Sequence, residues 1–174
     1  MSKLILYCKD GSCSMAAHIL LTELGLPFHT IPLRAGDSGY EAADGSFSHA
    51  EYVERIHPKG YVPALSIDGE VITENFAILR YIANLAPERH LLGSTALEHA
   101  RVDEWLVWLS STLHGAGFGA YWRPARFVDE HVDMHQAIVE KGYKTVLACY
   151  DPCSECIRSR GAHLSSESRR RLPS

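Results

Sequence analysis

The chain is 174 residues long and 46 % apolar, with a net charge of −4 and a pI of about 6.2. That apolar content supports one buried core or two small ones. The acidic balance excludes nucleic acid as the main partner, because phosphate binding needs a basic face. No apolar run reaches the roughly 20 residues of a membrane span. The opening Leu4-Ile5-Leu6-Tyr7 run is too short for a secretory leader. Cysteines at positions 8, 13, 149, 153 and 156 follow no secreted disulfide framework. A soluble, reduced, cytoplasmic protein is expected.

Lys3–Tyr7 predicts a first strand, ending in the turn Cys8-Lys9-Asp10-Gly11. Ser12-Cys13-Ser14 then precede a helix over Met15–Leu24, terminated by Gly25 and Pro27. Phe28–Leu33 reads as a second strand, and residues 34–46, rich in Gly, Asp and Ser, as a polar loop. Ser48 and Glu51 have capping-box spacing for a short helix to Ile56, stopped by Pro58. Ala64–Ile67 and Glu70–Ile72 flank Asp68-Gly69, the strongest local hairpin signal. Thr73-Glu74-Asn75 open an amphipathic helix, placing polar side chains on its donor-rich first turn. The order β-α-β-α-β-β-α through Leu85 predicts an α/β sheet with helices on its faces.

Ala86–Gly93 reads as a linker, and beyond it only helices are predicted. Thr95 and Glu98 form a second capping box, and Val102, Trp105, Leu106, Leu109 and Leu113 fall at helical spacing. Gly115, Gly117 and Gly119 predict a break before a more polar helix from about Arg126 to Tyr150. The last 24 residues hold six serines, two prolines and the run Arg169-Arg170-Arg171. Such a segment cannot bury enough apolar area to offset its ordering entropy, so a disordered tail is expected. The division is therefore an α/β domain over 1–85, a linker over 86–93, a partial helical domain over 94–150 and a tail over 151–174.

Activating a thiol near neutral pH calls for a hydroxyl or thiol donor and a positive potential, since the thiolate is the nucleophile. Tyr7 closes the first strand, and Ser12, Cys13 and Ser14 lie where the next helix begins. There the unpaired N–H groups and the helix dipole favour an anion by about 0.3–1 kcal/mol. On that account Cys13 is more acidic than a free cysteine. A small core thiol accounts for it equally well, cysteine being among the most buried residue types. Cys153-x-x-Cys156 and His131-x-x-x-His135 supply four N/S groups, the imidazoles on one helical face. No strand or knuckle frames them, so no metal is expected. The arginine run fits a solvated terminus better than a nucleic-acid contact.

Several segments carry a resemblance to a known family. They are Lys3–Tyr7 with Gly11-Ser12-Cys13-Ser14, His57-Pro58-Lys59-Gly60-Tyr61-Val62-Pro63-Ala64-Leu65, and Thr73-Glu74 with Ala77-Ile78 and Tyr81-Ile82-Ala83. In the helical half, Glu104-Trp105-Leu106, Thr112-Leu113-His114 and Arg123-Pro124 extend it. The chain resembles the glutathione transferase superfamily, and within it the bacterial beta class most closely. The resemblance implies a thioredoxin-like α/β N-terminal domain and a truncated all-α C-terminal domain, with glutathione as co-substrate. It places Cys13 and Tyr7 beside the glutathione sulfur, Ser14 as a further hydroxyl donor, and His114 projecting from the second domain. It pairs the Val62 backbone with the cysteinyl unit, makes Pro63 cis, and brings Glu74 and Asn75 to the γ-glutamyl end. The activity implied is conjugation of glutathione to small electrophiles by a homodimer, with thiol–disulfide exchange through a Cys13–glutathione mixed disulfide.

The chain also departs from that pattern. Asn75 stands where the family more often has Ser or Gly, and Gly115 where a Lys follows the histidine. The helices that complete the second domain have no counterpart. The alternative reading is a non-catalytic glutathione-transferase-like binding module or an inactive truncated product.

Overall fold

The computed structural model describes residues 2–150. The tail, including Cys153, Cys156 and the arginine run, lies outside the described residues. Backbone contacts divide the chain into two compact units, the first reaching Asp103 and the second beginning at Glu104.

The first unit follows the expected order with one addition. β1 (Leu4–Cys8), α1 (Ser14–Glu23), β2 (Phe28–Ala35) and β3 (Tyr40–Ala42) are followed by α2 (His49–Arg55), β4 (Ala64–Ile67), β5 (Glu70–Thr73) and α3 (Asn75–Asn84). They form one mixed sheet in the order β3-β2-β1-β4-β5. β1 and β2 are parallel, joined across α1; every other pairing is antiparallel. This is the thioredoxin-like plan, and the described residues that follow it hold helices and no strand.

The pleat of β1 divides the core in two. Leu4, Leu6 and Cys8 point to one face and pack with Ala17 and Leu21 of α1, Leu65 of β4, and Ile78 and Ile82 of α3. Tyr7 points to the other face, where it meets Leu33, Ala64 and the fully buried Tyr52 of α2. Both capping boxes form: Glu51 N–H reaches the Ser48 hydroxyl and Glu98 N–H the Thr95 hydroxyl, with each carboxylate bonding back. Asp68 at φ 52° and Gly69 at φ 100° make the tight hairpin turn.

Four expectations are corrected. The loop over 34–46 contains β3, which pairs with the end of β2 and is clamped by the Arg34–Glu41 ion pair at 2.8 Å. Thr73 ends β5 rather than opening α3; Glu74, at φ 68° and ψ 117°, takes the cap position without a side-chain cap bond. The glycines at 115, 117 and 119 do not break the helix. After α4 (Ala96–Trp108) the backbone continues as a π-helix over Leu109–Phe118 and then as α5 (Gly119–Trp122). The last helix covers residues 135–150 rather than starting near Arg126, because two 3₁₀ turns, Pro124–Arg126 and Val132–Met134, precede it. His131 therefore caps a turn and does not share a helical face with His135, whose Nε2 donates to the Val128 carbonyl at 2.7 Å.

In the second unit two helices cross closely at glycines. A Cβ on Gly117 would stand 2.9 Å from Val146 Cγ2, and one on Gly142 only 2.5 Å from the Tyr121 nitrogen. Removing those side chains is what lets the backbones approach. None of the residues of α4 is buried, so its apolar stripe is at best partly covered.

Candidate functional site

Cys13, Val62, Pro63 and Asn75 lie together where β1 ends and α1 and α3 begin. Cys13 occupies the N-cap position of α1, with helical dihedrals of φ −61° and ψ −15°. It is half-buried, whereas Cys8 and Cys149 are buried. Between the two accounts of Cys13, that exposure favours an accessible thiol. Its Sγ donates to the Val62 carbonyl at 3.2 Å, although 49 residues separate them. The next peptide bond, Val62–Pro63, is cis. Antiparallel pairing then carries the chain alongside β1, with Ala64 opposite Tyr7.

The segment before the cis peptide is held from α2. The Tyr52 hydroxyl donates to the Tyr61 carbonyl at 2.8 Å, and the buried His57 ring lies between the Tyr52 and Tyr61 rings. His57 Nδ1 accepts the Lys59 N–H at 3.2 Å, which assigns the ring proton to Nε2. Burial holds the His57 pKa below its ordinary value, Glu74 opposing that effect and Lys59 adding to it. The imidazole is neutral at neutral pH.

The turn that presents Cys13 is tied together by hydroxyls. Ser14 accepts the Lys9 N–H at 3.0 Å, and its oxygen lies 2.7 Å from the Ser12 hydroxyl. Ser12 donates to the Lys9 carbonyl at 2.7 Å. Ser14 is 1 % exposed, so its hydroxyl serves this turn. Tyr7 packs against Phe47 and Tyr52 on the α2 side, and burial raises its phenol pKa. It stays protonated at neutral pH, so it can donate a hydrogen bond.

At the start of α3, the Asn75 amide Nδ2 donates to the Cys13 carbonyl at 3.2 Å. Asn75 Oδ1 is buried and has no hydrogen-bond partner among the described residues. Glu74 is exposed beside it in a left-handed conformation. The fold thus brings together Cys13, Val62, Pro63, Glu74 and Asn75, with Ser14 beneath them and Tyr7 in the adjoining strand. His114 lies in the π-helix of the second unit, where loss of water around part of the ring, then Arg126 and Arg123, lower its pKa. Tyr52 and His57 were not singled out from sequence; their only signal was their position around the Pro-Lys-Gly turn.

Comparison with known proteins identifies the architecture. Residues 11–85 match the glutathione S-transferase N-terminal domain. Glutathione S-transferase GstA of Escherichia coli is 36 % identical over 121 residues, covering 68 % of this chain and 56 % of that protein. Two solved sphingomonad structures each share 31 % identity at a TM-score of 0.66, covering 85 % of this chain and 68 % of theirs. One is a beta-class enzyme from Sphingomonas chungbukensis, and the other a glutathione S-transferase complexed with glutathione. The chain belongs to the glutathione transferase superfamily. It spans about half the length of the curated transferases it matches. Among its described residues, no helix is long and apolar enough to cross a membrane, and no three His, Cys, Asp or Glu side chains cluster as metal ligands.

Proposed function

We propose that this transferase-family chain binds glutathione at the Cys13–Val62–Asn75 cluster and conjugates it to small electrophiles. The observation that carries the reading is the Cys13 thiol aimed at the carbonyl that precedes a cis proline, 3.2 Å away. An extended peptide laid along that backbone would take the Val62 carbonyl as its acceptor, with its own thiol beside Cys13. Glu74 and Asn75, at the amide-rich start of α3, suit the amine and carboxylate of a γ-glutamyl group.

Conjugation is a displacement: the glutathione thiolate attacks the electrophilic carbon, a carbon–sulfur bond forms, and the leaving group departs with its electron pair. The thiol proton passes to solvent. A neutral Tyr7, whose phenol burial keeps protonated, fits the role of hydrogen-bond donor at that sulfur; His114 is the histidine that the family resemblance assigns. With glutathione disulfide, the Cys13 thiolate would instead form a mixed disulfide and release one glutathione thiolate. In this reading the protein works in the cytoplasm as a homodimer with a detoxifying role.

The test is calorimetry with glutathione on the chain and its Glu74→Ala variant, followed by turnover of a model aryl halide. Glu74→Ala is expected to weaken binding about tenfold, by leaving the ligand amine unmatched. Unchanged affinity removes Glu74 from the site. Binding without turnover identifies a glutathione-binding module rather than an enzyme.

A further inference from the structure

Asn75 makes one hydrogen bond and leaves another unmade. Its amide donates to the Cys13 carbonyl across 62 residues of sequence, while its Oδ1 is buried without a partner among the described residues. A buried acceptor left unsatisfied carries a desolvation cost, so the side chain is not there for stability alone. The bond also lands where the helix itself is weak. The Cys13 carbonyl receives the Ala16 N–H at 3.4 Å, a stretched contact, whereas Asn75 reaches it at 3.2 Å. Cys13 itself makes no side-chain cap bond; the Ser12 hydroxyl accepts the Ser14 N–H at 3.2 Å, one residue further on.

We propose that Asn75 is a positioning residue for Cys13. By fixing the peptide plane that follows Cys13, it holds the thiol against the Val62 carbonyl and couples the starts of α1 and α3. Occupation of the γ-glutamyl end, at the start of α3, would thereby be felt at the thiol. The proposal rests on the reading of Cys13 as the thiol at the glutathione site, but its first test does not.

That test is amide hydrogen exchange of the Ser14–Ala17 segment in the free chain and in Asn75→Ala and Asn75→Asp, neither of which can donate to the carbonyl at neutral pH. Exchange is expected to quicken about three- to tenfold in both variants, the scale of one lost hydrogen bond. The thermal midpoint of Asn75→Ala should hold or rise, because the orphan acceptor is gone. Unchanged exchange, or a fall in midpoint with Cys8 becoming reactive, would overturn the proposal, the latter marking a merely structural residue. The second test compares Cys13 rates with glutathione disulfide and with iodoacetamide by mass spectrometry. Asn75→Ala should change the iodoacetamide rate itself about three- to tenfold, whereas loss of a ligand contact alone would slow only the disulfide reaction. An iodoacetamide rate within about twofold of wild type also counts against the proposal. A wild-type rate that fails to saturate in glutathione disulfide defeats the glutathione reading, while the exchange result still decides the role of Asn75.

Discussion

Tyr52 of α2 donates its buried hydroxyl to the carbonyl of Tyr61, one residue before the carbonyl that receives the Cys13 thiol. A core residue is thus bonded directly to the segment that leads into the cis peptide and β4. Tyr52→Phe keeps the ring and removes only the donor, leaving the Tyr61 carbonyl unmatched. A loss of about 1–3 kcal/mol in chemical denaturation is expected, together with weaker glutathione binding by calorimetry. An equal loss of stability with full affinity would show that the segment keeps its shape without this bond.

His57 gives the fold an acid-sensitive point. Burial lowers its folded pKa below the unfolded value of about 6.5. Below that value the unfolded chain binds the extra proton first, so stability is full above pH ~6.5 and declines as pH falls toward the folded pKa. Protonation also ends the acceptor role of Nδ1 toward Lys59. His57→Gln should flatten the thermal midpoint between about pH 5 and 7 relative to wild type. A parallel decline in both proteins would place the acid sensitivity elsewhere.

Gly60 has φ 64°, and a Cβ there would lie 2.4 Å from His49 Cε1. Gly60→Ala combines a left-handed backbone with a collision against α2, so a destabilisation of about 1–3 kcal/mol is expected. Circular-dichroism melts would measure it. A midpoint within a degree of wild type would mean that His49 swings aside freely.

The half-buried Cys13 should alkylate well before the buried Cys8 and Cys149. Peptide mapping after brief treatment with iodoacetamide distinguishes them. Modification of Cys8 first would reverse the assignment of the accessible thiol.

No residue of α4 is buried, and Val107 is 49 % and Leu109 39 % exposed. Apolar faces of this kind favour association. Sedimentation velocity should therefore show concentration-dependent self-association, reduced in Leu109→Glu. Strictly monomeric behaviour at all concentrations would argue against the proposed homodimer.

Sequence made the first unit legible because its signals are local. The Asp68-Gly69 turn, the Ser48 and Thr95 boxes and the Gly25 helix exit each act within a few residues. β3 escaped notice because Tyr40-Glu41-Ala42 lies in a glycine-rich stretch and gains its order from pairing with β2. The π-helix escaped because glycine commonly reads as a stop, while here Gly117 makes room for Val146. For the site, family resemblance named Cys13, Val62, Pro63, Glu74 and Asn75, which lie together in the first unit, and also His114, which lies in the second. It did not foresee that Asn75 bonds to Cys13, because a contact spanning 62 positions leaves no periodic trace.

Gly117 and Gly142 show that part of the second unit is specified by omission. An alanine scan is normally a record of what is lost, yet at these two positions it adds a methyl group where 2.9 and 2.5 Å are open to it. A survey of deleted contacts would rank such sites as empty, while a survey of added mass would rank them among the least tolerant in the chain. Helices drawn together this way leave little room for repacking, so redesign of the second unit has to begin from its two missing side chains.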